Sequence, residues 1–151
     1  MANPNDITNY VEQMITNIQT VISGYQSYLG YKAIYDTDDA FISMYPAITI
    51  ELDNVTEAWK QMARIKTITA TFNVTYYMAN YDNNVLRKDI RAGLNKLCNI
   101  FRENWDLNNY CNDLGASVVS ATPYIIARGE AIIAGGVVVL EVRKVVTVTL
   151  V

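Results

Sequence analysis

The sequence predicts an α+β fold in two layers, a mainly antiparallel β-sheet with two amphipathic helices packed on one of its faces. Three observations carry that expectation. Residues 65–78 alternate without a break: Ile68, Ala70, Phe72, Val74, Tyr76 and Met78 fall on one side, and Thr67, Thr69, Thr71, Asn73, Thr75 and Tyr77 on the other. This is the period of two that a half-buried strand requires. A second long alternating segment ends the chain, from Val137 onward. Two further stretches place apolar residues three and four apart, as helices that bury a single stripe do.

The elements follow in order. Asn3 before Pro4 reads as a helix N-cap with proline at the first helical position, and Asp6 adds a carboxylate where the helix dipole favours it. The helix runs on Ile7, Tyr10, Val11, Met14, Ile15, Ile18, Val21, Ile22 and Tyr25, with Gly24 and Gly30 bracketing its end. An acidic group, Asp36, Asp38 and Asp39, precedes Pro46 and a short strand on Ile48, Ile50 and Leu52. Residues 53–64 read as a loop, with room for a turn of helix over 57–62. After the long strand, Asn80 to Asn83 is turn chemistry, and a second helix starts at Asn83 or Asn84. Its buried stripe is Leu86, Ile90, Leu94, Leu97, Cys98 and Phe101, and its outer side carries Arg87, Lys88, Arg91, Asn95, Asn99 and Arg102. Asn108-Asn109 breaks it.

A strand over Ser117 to Thr122 is expected to stop at Pro123, or to continue past a bend through Tyr124 to Ala127. Arg128-Gly129-Glu130 then turns the chain into the last strand. There Val138, Leu140, Val142, Val146, Val148 and Leu150 share one face, and Val137, Val139, Glu141, Arg143, Val145, Thr147 and Thr149 share the other. Lys144 lands on the apolar face. Either a bulge resets the register there, or residues 144–151 leave the core as a C-terminal β-arm.

At 151 residues the chain is read as one domain, 1–151, with no internal repeat or linker. Half of it is hydrophobic (51%) and only 18% is charged, below the roughly 25% usual for soluble domains, so part of the surface is expected to be covered by other chains. Residues 1–57 carry a net charge of −7 and residues 58–151 a net +4. Such polarity suits head-to-tail contacts between identical subunits.

The chain contains no histidine, which removes His-based general-base and triad mechanisms and the usual zinc chemistry. Cys98 and Cys111 have neither metal-site spacing nor a signal peptide to suggest an oxidising compartment. Asp36, Asp38 and Asp39 lack the glycine and terminal glutamate of an EF-hand loop, so they read as a solvated loop that acts by charge. The basic row on the second helix is interrupted by Asp89 and Glu103 in a chain of pI near 4.8, unlike a dedicated nucleic-acid binder. No glycine pattern cradles a phosphate, and no run approaches a membrane span. No catalytic residue, metal or cofactor is expected. The face of Thr67, Thr69, Thr71, Asn73 and Thr75, with Glu141, Arg143, Thr147 and Thr149 from the last strand, is polar without being strongly charged. It suits contact with copies of the chain or a partner, and Asp36, Asp38 and Asp39 join it as an electrostatic contact.

These ordered features resemble the tail terminator (tail completion) proteins of long-tailed bacteriophages. The resemblance rests on the opening helix, Tyr45-Pro46-Ala47-Ile48, the strand from Arg64 to Met78 leading through a short turn into the helix Val85 to Phe101, the strand near Val118, and the ending from Arg128-Gly129-Glu130 through Gly136 to Val142. It implies a small α+β subunit of a homohexameric ring that caps the tail tube, ends tail assembly and offers a joining surface to the head-side connector or stopper. It further implies a place in the virion tail or neck after assembly in the host cytoplasm, contact with the sheath where tails contract, and only transient contact with DNA in the lumen. Another neck protein, such as a head-completion or stopper protein, is the alternative. A tube subunit is disfavoured because only one long hairpin is credible, and a small-molecule or RNA-binding α+β domain belongs to a different class altogether.

Overall fold

A computed structural model describes residues 7–35, 45–60, 64–80, 83–128 and 131–147. The fold is α+β. Helix α1 (Ile7–Ser23) and the single turn α2 (Gln26–Leu29) precede β1 (Ala33–Tyr35), β2 (Ala47–Trp59) and β3 (Ile65–Asn80); α3 (Asn83–Glu103), β4 (Gly115–Arg128) and β5 (Ala131–Thr147) complete it. The five strands form one sheet in the order β1-β2-β3-β5-β4, antiparallel except for the short β1–β2 pair. The N-cap expected at Asn3 and the acidic group at 36–39 lie outside the described residues.

One core unites the helices with one face of the sheet. Met14, Ile18 and Ile22 of α1 and Leu86, Ile90 and Leu97 of α3 are buried with Ile48, Ile50, Ile68, Phe72, Val74, Val138 and Leu140. The spacing that marks each helix in the sequence is thus the spacing of its buried stripe. Two glycines bring α3 close to the strands: a Cβ on Gly93 would sit 2.8 Å from the Tyr76 ring, and one on Gly136 would sit 2.5 Å from Leu94. Gly30, at φ +73°, closes α2 in the left-handed conformation typical of a helix end.

Two sequence expectations are corrected and one pair of alternatives is resolved. Residues 53–59 are strand, because β2 runs on to Trp59 opposite Lys66. A bulge at Asp53 separates the Leu52–Phe72 pair from the Asn54–Thr71 pair. That one extra residue turns Val55, Glu57 and Trp59, instead of the even-numbered positions, toward the core side. Of the two alternatives at Pro123 the continuing strand is the one found: β4 passes through the proline, which pairs with Gly136 from the outermost strand, where a missing N–H is tolerated. The break in phase sits earlier, as a bulge at Val119. Finally, no bulge accompanies Lys144, since β5 pairs with β3 in continuous register from Ile132 to Thr147. Residues 144–147 are therefore sheet, and 148–151 lie outside the described residues.

After α3 the chain turns through Leu107, Asn108 and Asn109 with φ values of 47°, 61° and 64°. Asparagine tolerates this region well. Leu107 is fully buried, which holds the turn against the core.

Candidate functional site

The face of the sheet turned away from the helices gathers most of the residues singled out in the sequence. Because side chains alternate, Thr67, Thr69, Thr71, Asn73 and Thr75 of β3 line one face. The register aligns them with β5: Thr69 pairs with Arg143, Thr71 with Glu141, and Asn73 with Val139, while Ile65 at the strand's end meets Thr147. On the other flank Thr56, Asn54 and Glu51 of β2 pair with Thr69, Thr71 and Asn73, and Ser117 and Ser120 of β4 pair with Glu141 and Val139. The result is a four-strand surface of hydroxyls, amides and valines. Thr149, Asp36, Asp38 and Asp39 lie outside the described residues.

This face has two ends of different character. At one end Ala47, Thr49, Thr75 and Tyr77 are buried, so Thr75 does not reach the surface as the sequence pattern suggests. At the other end Thr67, Thr69, Thr71 and Asn73 are half-buried and Arg143 and Thr147 exposed. Two of the charges there neutralise one another, with Arg143 donating through Nη2 and Nε to Glu141 Oε1 at 2.7 and 2.8 Å, while Glu51 stands exposed on the β2 side. As a surface pair it contributes little to stability, about 0–1 kcal/mol. Its larger effect is to cancel two charges on the face.

Among the described residues both margins of the sheet are open. β1 covers β2 only from Ala47 to Thr49, so from Ile50 to Trp59 β2 has no strand on its outer side among the described residues. β4 is likewise the last strand in the order. Open edges present unpaired N–H and C=O groups to any chain that can add a strand. On the β2 margin Glu51, Leu52, Asp53 and Trp59 are exposed.

The core side carries two lysines near the end of the sheet, and each is sealed by an aromatic ring. Lys66 is 2% exposed, donates to Glu57 Oε1 at 2.7 Å and lies 5.3 Å from the Trp59 ring centre. Lys144 donates to the Tyr110 carbonyl at 2.5 Å and lies 4.0 Å from that ring. Sequence reading found Lys144 but missed the Lys66 cluster. The alternation Val55-Thr-Glu57-Ala-Trp59 was the available signal, hidden by the bulge before it.

Cys98 and Cys111 are both buried, free thiols. Burial pushes both up, Cys111 to about 11, where Asp106 adds to the effect and Lys144 opposes it, so neither is a poised thiolate at neutral pH. A shallow groove lies beside Leu29, Pro46, Tyr76, Asp89, Gly93 and Lys96. Tyr76 donates its hydroxyl to the Leu29 carbonyl at 2.8 Å and Lys96 donates to Tyr28 O at 3.0 Å. Both donors are thus engaged inside the fold. Among the described residues no cluster of three or more acidic or cysteine side chains could hold a metal, and no helix is long and apolar enough to cross a membrane.

No protein-family model matches the chain, and no curated protein matches it in sequence. Among solved structures the chain is similar to one chain of the virion of a native gene transfer agent particle, with a TM-score of 0.51 and 10% identity over 86% of this chain and 94% of that one. At that identity the likeness is one of fold, and it extends over nearly the full length of both chains.

Proposed function

We propose that the chain is a structural, non-catalytic subunit of a phage-like virion, a tail terminator that caps the tail tube as a homohexameric ring. The single observation that carries this reading is the sheet itself: a polar outer face flanked, among the described residues, by two open margins, which neighbouring chains can complete. A ring needs two different patches per subunit, so that each interface joins one patch to the other and the rotation closes. The two margins, β2 and β4, are different in sequence and supply such a pair. The fold shared with a chain of a gene transfer agent virion supports the same reading.

On this reading the partners are further copies of the chain, the tail tube protein on one side of the ring, and the head-side connector or stopper on the other. Where the tail contracts, the sheath is a fourth contact. DNA meets the ring only in passage through its lumen. A second reading, a tube subunit, is favoured by one specific feature: both β2–β3 and β4–β5 are long hairpins, where the sequence suggested one.

Negative-stain images of particles assembled without this protein separate the readings. A terminator predicts overlong or headless tails. Absence of tails altogether points to a tube subunit, and normal-length tails beside unfilled heads point to a head-completion or stopper protein.

A further inference from the structure

The sheet order turns the charge asymmetry of the sequence into an asymmetry of place. β2, with Glu51 and Asp53 exposed, forms one margin, and α3 packs over β3, β5 and β4, toward the opposite margin. Along the outward side of α3, Lys88 and Arg91 are exposed in its first half, next to Arg87. Glu51, Asp53 and Lys88 have no ion-pair partner among the described residues. Carboxylates left unmatched on the β2 margin and an ammonium left unmatched on the helix that packs toward the other margin become matched when a second copy is placed beside the first by a rotation that brings unlike surfaces together. Two copies meeting through the same flank would instead oppose like charges.

We infer that the occupant of the α3 flank is the β2 margin of a second copy of this chain, with Glu51 and Asp53 of one subunit facing Lys88 and Arg91 of the next. This rests on the ring reading above and specifies which flank meets which. Among the described residues the backbone of β2 beyond Thr49 is uncovered on that margin, and the exposed Leu52, turned to the helix side of the strand, adds an apolar contact along the same edge. Steering by these charges accelerates the productive encounter and disfavours the symmetric, same-flank dimer that would block ring growth.

Charge exchange tests the inference. Two double variants, E51K/D53K and K88E/R91E, and the quadruple variant combining them are compared with the wild-type chain by light scattering across a concentration series, in low salt and in about 0.5 M salt. All four substituted side chains are exposed, and unchanged thermal melting verifies folding. Each double variant is expected to weaken assembly about tenfold or more at low salt, the quadruple variant to recover it, and added salt to weaken the wild type while narrowing the differences, because exposed charges are screened within about 10 Å at 0.1 M salt. Wild-type assembly with both double variants assembling equally well overturns the pairing while leaving the ring reading intact. Double variants that weaken assembly without recovery in the quadruple variant also overturn it. If K88E/R91E leaves assembly unchanged but abolishes retention of a duplex DNA oligonucleotide, the α3 row serves phosphate, and the inference falls. A wild-type chain that is monomeric at every concentration overturns both readings.

Discussion

Gly136 shows how a single absent side chain fixes the distance between layers. Leu94 of α3 occupies the space where a Cβ would stand, 2.5 Å away. Gly136→Ala is therefore expected to force Leu94 from its seat and cost about 1–3 kcal/mol. Measured by urea unfolding, that cost should shrink in the Leu94→Ala background, and equal costs in both backgrounds would refute the contact's role. Cys111 offers a second handle at this scale. Burial raises its folded pKa to about 11 from an ordinary value near 9, so the folded state favours the protonated thiol. The sign follows: this contribution to stability is fully present below pH 9 and is lost as pH rises toward 11. Stability of the wild type should fall across that window more than that of Cys111→Ala, when followed by denaturant titration at successive pH values. Alkylation of Cys111 at neutral pH should be slow until the chain unfolds.

The distal end of the β2–β3 hairpin is the element whose stability is least expected from pattern alone. Its inner side is held by Glu57, Lys66 and Trp59 rather than by aliphatic packing. Glu57→Gln removes the carboxylate that Lys66, 2% exposed, donates to at 2.7 Å and is expected to destabilise by about 1–3 kcal/mol. Lys66→Met removes the charge along with its desolvation and should cost far less. The reverse ranking in thermal melts would show that the ion pair is not what holds the hairpin. This element also marks the limit of the sequence. Both helices, the β3 alternation and the β5 faces up to Thr147 were legible because long apolar stripes leave an unambiguous period. Residues 53–59 were not, because the bulge at Asp53 shifts the phase and both sides of the strand beyond it carry polar groups. Of the candidate surface, Thr67 to Asn73 with Glu141 and Arg143 was legible as one face. That Thr75 is covered, and that β2 leaves an open margin, depend on strand order, which periodicity does not encode.

At the scale of the whole molecule, the helices among the described residues shield one side of the sheet. The other side carries a polar surface, and among the described residues the sheet stops at two unlike open margins. Unlike patches on one subunit generate either a closed ring or an open filament, according to whether the rotation between neighbours closes. A ring gives a mass that is a fixed multiple of the subunit and stops growing once complete. An open filament grows with concentration. The proposed ring is tested most directly by the molar mass of the purified chain as a function of concentration, measured by light scattering. A homohexamer gives a plateau at six times the 17.0 kDa chain mass; a mass of one chain at every concentration, or one that climbs without a plateau, would contradict the ring.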